Sequence, residues 1–269
     1  MRNLLVLLGF AFFSAASGQT IGVDNRHGFN EDALLGSGAD FDAYRAVIEA
    51  LGFTLVPLDS FLAGDIEGLD AVIINQNYQT NLLSADEIVA LREFQLAGGG
   101  LLVQVDGGTD FVAPVMNLLV QPYGVSFSRA VTEGAGRVIE GFVVHPVTVG
   151  VQTVGIDAHR RLEMSIPPAL DLTIGDGEDD MLAAVLGERF GAGNLVMISD
   201  SSIWSDPDSG SDFSIDFGDS LRLFVNSLLF VTRDGPPTEQ VIRRASAAVD
   251  AVAVRAATRV GAPGGSHGD

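Results

Sequence analysis

Polar residues gather in this sequence wherever an apolar run gives way to a turn. The clusters are Asp24-Asn25-Arg26-His27-Gly28, Asp59, Asn75-Gln76-Asn77-Tyr78, Asp106-Gly107-Gly108-Thr109-Asp110 and Asp200-Ser201-Ser202. Carboxylates beside an imidazole can act as acid and base or hold a hard cation, while amides and hydroxyls hydrogen-bond a small polar ligand. The candidate ligand-binding set is therefore Asp24, Asn25, His27, Asn75, Asn77, Asp106, Asp200 and Ser201. The same residue types also cap helices and make turns, so their place in the fold decides between the two roles.

A second acidic stretch covers residues 206–219. Asp206, Asp208 and Asp212, with Gly210, resemble part of a calcium loop and are the candidate ligands for calcium or another divalent cation. Glycine stands at the fifth position and no glutamate closes the loop, so a plain solvated loop is the competing reading. A hydrolytic triad finds no support in spacing. Ser201 lacks the flanking glycines of a nucleophile elbow, and His145 is followed at once by Pro146. The glycines at 98–100 precede a strand rather than a helix and so make no phosphate loop. The chain contains no cysteine, which excludes thiol nucleophiles, thiolate metal sites and disulfides.

The elements that must position these groups alternate between β-rich runs and helical patterns. Strands are expected over 20–24, 53–58, 70–75 and 101–105, and Pro57 marks the second as an edge strand. Residues 40–51 carry apolar side chains at helical spacing, with Gly52 as the stop. Ser84-Ala85-Asp86-Glu87 is a capping box that opens another helix. Residues 125–174 break into short β runs. Residues 181–200 read as a hairpin returning to the sheet, and 219–231 as the last core helix. Apolar strands alternating with helices imply an α/β three-layer sandwich around a mostly parallel, doubly wound sheet, with a β-rich insertion and a C-terminal helix. In such a sheet ligands bind at the carboxyl ends of the strands, where strand order reverses.

Residues 1–18 read as a cleavable signal peptide. Arg2 supplies the charge, residues 4–13 the apolar core, and Ser14 to Gly18 the small residues at the exit. That apolar run is too short for a bilayer span, and no later one is longer. The expected location is secreted or periplasmic. The net charge is −20, every basic residue is arginine, and a surface this negative repels nucleic acid. Residues 19–232 form the α/β domain, and 233–269 a linker, a helix and a tail. The stripe Val241, Ala245, Ala248, Val249, Val252 and Ala256 suits docking on the domain or self-association with another copy.

Six stretches in order carry a family resemblance: DNRHGFN at 24–30, LDAVII at 69–74, EFQLAGGGLLVQV at 93–105, HPVTVGV at 145–151, GAGNLVMISDS at 191–201, and 217–229 with its Asn226. Over residues 21–231 the chain resembles the class I glutamine amidotransferase-like domains. More narrowly, it resembles their non-catalytic branch, found in secreted bacterial proteins and in an intraflagellar transport subunit. The resemblance implies a flavodoxin-like sandwich. It also implies a nucleophilic cysteine in the turn after residues 101–105, where this chain has Asp106-Gly107-Gly108. Glutamine hydrolysis by that route is excluded, and only the scaffold and its rim carry over.

Three functions follow as expectations. The first is an exported domain that binds a small polar ligand, a glycan or an extracytoplasmic protein at the strand-end rim, with exposed aromatics such as Tyr78 or Trp204. The second is a metal- or carboxylate-dependent hydrolase using the same rim, which requires Asp24, His27, Asp106 and Asp200 to converge. The third is an assembly subunit that docks through its C-terminal helix and leaves that helix's apolar stripe exposed.

Overall fold

The computed structural model describes residues 18–26, 41–76, 82–105, 112–132, 136–156, 159–165, 170–173, 181–187, 193–200, 202–206 and 213–260. The signal peptide expected at 1–18 lies outside the described residues but for Gly18, and so does the tail at 261–269.

The first half of the chain is a run of strand–helix units. β1 (Thr20–Asp24), α1 (Asp42–Leu51), β2 (Thr54–Leu58), α2 (Ala63–Ile66), β3 (Ala71–Gln76), α3 (Ala85–Leu96), β4 (Gly100–Val105) and α4 (Val112–Val120) follow in order. The insertion supplies β5 (Val125–Thr132), β6 (Arg137–Glu140), β7 (Thr153–Ile156), β8 (His159–Met164) and β9 (Leu170–Asp171). The hairpin β10 (Leu182–Val185) and β11 (Leu195–Ile198) then returns to the sheet, and α5 (Ser220–Val231) and α6 (Glu239–Val260) close the chain.

The main sheet has the order β2-β1-β3-β4-β11-β10-β9. Its first five strands are mutually parallel, and β10 and β9 add antiparallel pairs at the far edge. Pro57 lies on β2, the edge strand, where its missing N–H costs no ladder bond on the open side. The chain crosses from β1 to one neighbour, β2, and then back to the other, β3. Strand order therefore reverses between β1 and β3.

Successive side chains of the central strands serve opposite cores. Ile21, Val23, Ile73, Leu102, Val196 and Ile198 face α1, α5 and α6, while Val72, Ile74, Leu101, Val103 and Met197 face α3 and α4. Burial on both faces is why these strands read as unbroken apolar runs rather than alternating ones. β5 and β8 pair antiparallel and extend the second layer through Val125, Phe127 and Leu162. Asn117 of α4 pins this pair, because its amide exchanges two hydrogen bonds with the Phe127 backbone at 2.7 and 3.0 Å.

Local chemistry sets the helix ends. Ser84 Oγ accepts from the Glu87 N–H at 3.2 Å, and Glu87 returns the bond to the Ser84 N–H at 2.8 Å, so the expected capping box is formed. Gly52 ends α1 in the left-handed region at φ 94°. A Cβ on Gly100 would collide with the Val231 carbonyl, and one on Gly193 with the Gly99 carbonyl. These glycines let the amino end of β4 sit directly against the end of α5 and the turn before β11.

The C-terminal helix docks on its own domain. Ala245, Val249 and Val252 are buried, and α6 packs along α1. Of the apolar stripe expected to serve either the domain or another copy, Ala245, Val249 and Val252 are thus taken up within the chain, while Val241, Ala248 and Ala256 are half-buried. Among the described residues, no helix is long and apolar enough to cross a membrane.

Candidate functional site

The reversal point between β1 and β3 brings three of the candidate residues together. Asp24 ends β1, is fully buried, and accepts two backbone hydrogen bonds. Oδ1 accepts from the Arg26 N–H at 3.1 Å and Oδ2 from the Asn75 N–H at 3.2 Å. The β1–β3 register runs through Val23 and Ile73, so the carboxylate continues the ladder past its last backbone pair. Asn25 donates to Asp59 Oδ1 at 3.1 Å, and its own N–H donates to the Leu58 carbonyl at 2.9 Å, which ties the ends of β1 and β2 together. Arg26 reaches the Asp59 carbonyl at 3.1 Å and lies 3.8 Å from Glu87. Burial pushes the Glu87 carboxyl up. Hydrogen bonds from Ser84 and Phe61, and then the Arg26 charge, outweigh this and leave it below the usual range.

Asn75 behaves differently. It is 1 % exposed, and neither its Oδ1 nor its Nδ2 has a hydrogen-bond partner. Beside it in register on β4 lies Gln104, fully buried, whose Nε2 is likewise unpartnered. Gln104 Oε1 accepts from the Tyr44 hydroxyl at 3.3 Å. Tyr44 is fully buried in α1, and desolvation raises its pKa well above the ordinary value, so the phenol remains a neutral donor. Tyr44 stacks on Phe224 with ring centres 4.3 Å apart, and Trp204 packs against both. Trp204 is buried, not on the exposed rim that the sequence suggested, because the α1–α5 layer closes over it. Its indole N–H has no acceptor. At the end of β11, Ser199 and Asp200 are both fully buried, and Ser199 Oγ is unpartnered.

The rim thus joins Asp24, Asn25 and Asn75, with Asp200 two strands away across β4. His27, Asn77, Asp106 and Ser201 lie outside the described residues, as does Tyr78. Gln104 and Tyr44 were missed at the sequence level. A glutamine within an otherwise apolar buried strand was the available signal, because a buried amide needs a partner.

Asp206 is also a structural carboxylate. It is buried, and its two oxygens accept from the Asp42 N–H at 3.0 Å and the Ala43 N–H at 2.7 Å, at the start of α1. Asp208 and Asp212 lie outside the described residues. Among the described residues, no group of three or more His, Asp or Glu side chains could hold a metal ion.

The stretch at 145–151 is built as an anchored loop. His145 Nδ1 accepts from the Val147 N–H at 3.2 Å, and Asn226 Nδ2 donates to the Val147 and Val149 carbonyls at 2.9 and 3.0 Å. The His145 ring stands edge-on to Phe230, and burial holds its pKa below the ordinary value. HPVTVGV and Asn226 therefore go together as a clamp between the insertion and α5.

No protein-family model matches the chain, and no curated protein matches it in sequence. Solved structures do match in fold. The mmIFT52 N-terminal domain has a TM-score of 0.59 at 14 % identity, covering 80 % of this chain and 97 % of that one. A cytoplasmic protein from Salmonella typhimurium has a TM-score of 0.57 at 13 % identity, covering 79 % and 98 %. A ThuA-like protein from Bacteroides uniformis has a TM-score of 0.50 at 13 % identity, covering 81 % and 94 %. At these identities the likeness is one of fold alone: a flavodoxin-like α/β fold shared with the mmIFT52 N-terminal domain and the ThuA-like protein.

Proposed function

We propose that this chain is an exported, non-catalytic amidotransferase-like domain that binds a small, uncharged polar ligand at the carboxyl rim of its sheet. A sugar unit of a glycan and a polar group on an extracytoplasmic protein both have the required chemistry. One observation carries the reading: the Asn75 amide at the reversal point is buried with a free donor and a free acceptor. Gln104 Nε2 and the Trp204 indole N–H add further unused donors in the same layer. A buried polar group without a partner costs about 1–3 kcal/mol, and such groups concentrate where a ligand completes them. The hydrolase reading has less support, since Asp24 accepts hydrogen bonds from two backbone N–H groups and no unpartnered carboxylate oxygen is found at the rim among the described residues. Export rests on the charged, apolar and small-residue pattern of residues 1–18.

The test is ligand-induced NMR shift change at the Asn75 and Gln104 side-chain amides, with glucose, N-acetylglucosamine and glutamine as millimolar probes. Saturable shifts in the wild type that vanish in Asn75→Leu support the reading. Shifts that persist unchanged in Asn75→Leu place the ligand elsewhere and refute it. Mass spectrometry of the secreted protein should show an N-terminus near Gly18 or Gln19, and retention of Met1 refutes export through this segment.

A further inference from the structure

The unpaired groups at the rim specify more than polarity. Ile73 and Leu102 serve the core layer of α1 and α5, and successive side chains of a strand alternate between faces. Asn75 and Gln104, two residues further along β3 and β4, therefore share that face, and they are paired in register. Tyr44 enters the same layer from α1 and engages Gln104 Oε1, and Trp204 packs on Tyr44 with ring centres 6.2 Å apart. Asn75 Oδ1, Asn75 Nδ2, Gln104 Nε2 and Trp204 Nε1 are then shut off from water without a partner. Three of these groups donate and one accepts. Both ends of the Asn75 amide are unpaired, so turning it over leaves that balance unchanged. Ser199 Oγ, also unpaired, follows Ile198 by one residue and belongs to the opposite face.

We propose, resting on the rim reading, that the ligand presents a secondary amide to these groups. Its N–H donates to Asn75 Oδ1, and its carbonyl, with two lone pairs, accepts from two of the three donors. The third donor is left for a second acceptor on the same molecule. A buried polar group left unpaired on either side weakens binding, and other chemistries fail that count. A run of hydroxyls brings several O–H donors to one acceptor. An ammonium brings no acceptor for the three N–H groups. An ester has the carbonyl but no N–H for Asn75 Oδ1, and a primary amide has a second N–H with nowhere to go. A carboxylate has no donor, and it would lie beside Asp24, which accepts from the Asn75 backbone N–H at 3.2 Å. Because the four groups are closed to water, the amide reaches them only as the rim opens, and association is slower than diffusional encounter.

Near-isosteric probes test this on the wild-type protein, so the result does not depend on a variant folding. N-methylacetamide, methyl acetate, acetamide and acetate are titrated against the side-chain amide NMR signals of Asn75 and Gln104. N-methylacetamide should give saturable shifts. Methyl acetate should bind roughly 5- to 150-fold more weakly, the cost of leaving one buried acceptor unpaired. Acetamide and acetate should also bind more weakly than N-methylacetamide. In Asn75→Leu, followed at Gln104, the response to N-methylacetamide should be lost. No saturable response to N-methylacetamide, equal binding of methyl acetate, or tighter binding of acetamide or acetate each overturns the proposal. If glucose saturates these signals and N-methylacetamide does not, the rim reading stands and the amide falls. An undiminished response in Asn75→Leu sinks both. N-acetylglucosamine and N-acetylglycinamide separate the two sources of a secondary amide. Tighter binding of the first assigns the amide to an N-acylated sugar, and tighter binding of the second to a peptide.

Discussion

Replacing Asn75 by leucine should make the protein more stable while destroying the rim site. Asn75 is 1 % exposed, and both polar atoms of its side chain lack partners. The folded state therefore bears the desolvation of an amide with no hydrogen bond in return, a cost of about 1–3 kcal/mol. Leucine has the branched skeleton of asparagine but is bulkier, so the change removes that cost and overpacking takes back part of the gain. For a domain of this length each kcal/mol moves the midpoint by roughly 2–4 °C, so a rise of up to about 12 °C is expected. The assay is thermal and urea unfolding of wild type, Asn75→Leu and Asn75→Asp side by side. Asn75→Asp places a second carboxylate beside the buried Asp24 and should be destabilising. A leucine variant less stable than wild type by more than the about 1–3 kcal/mol that overpacking costs would refute the reasoning, because it would mean that the Asn75 amide is already satisfied in the folded protein. A gain in stability with loss of ligand response is the signature of a group kept for binding rather than for folding.

Three further outcomes test the rest of the structure. Ser84→Ala removes the capping box of α3 and should cost about 1 kcal/mol. It should also release Glu87, whose depressed value contributes stability above about pH 4.3 that is lost as pH falls through the folded value, so the acid limb of the stability profile should shrink in the variant. His145 has the opposite chemistry, because burial depresses the pKa of a base. The native state binds fewer protons than the unfolded chain, so this stability is complete above about pH 6.5 and is lost as pH falls below it. Unfolding midpoints from pH 5 to 8 should slope less in His145→Gln than in wild type. Asp206→Ala should cost about 1–3 kcal/mol by freeing two N–H groups at the start of α1, equally with calcium or with chelator. A wild-type midpoint that rises with calcium and an Asp206→Ala midpoint that does not would assign Asp206 to a metal instead.

Much of the fold was legible because burial patterns and caps are local. The apolar runs at β1, β3 and β4 are visible because both faces are covered, and Ser84 and Glu87 announce α3 three residues apart. Pro57 marked the edge strand for a reason confined to its own nitrogen. α4 was not recognised, since its nine residues VAPVMNLLV carry a proline and no polar face that would show a helical period. The short α2 and β9 are held by their neighbours rather than by their own pattern.

The site divides along the same line. The sequence alone determined that polar residues end the strands, that no cysteine is present to act as nucleophile, and that strand ends in such a sheet share one rim, because these follow from residue identity and period. Which of those polar groups remain available was decided only by tertiary structure. Asp24 and Asp206 look like the chemistry of the protein on paper, yet their oxygens meet backbone N–H groups 51 and more than 160 residues away in the chain. Asn75 and Gln104 look like unremarkable members of two strands, yet folding buries both and leaves the Asn75 amide and Gln104 Nε2 without hydrogen-bond partners. Hydrogen-bond satisfaction depends on partners that are distant in sequence, and so it is settled only when the chain has folded.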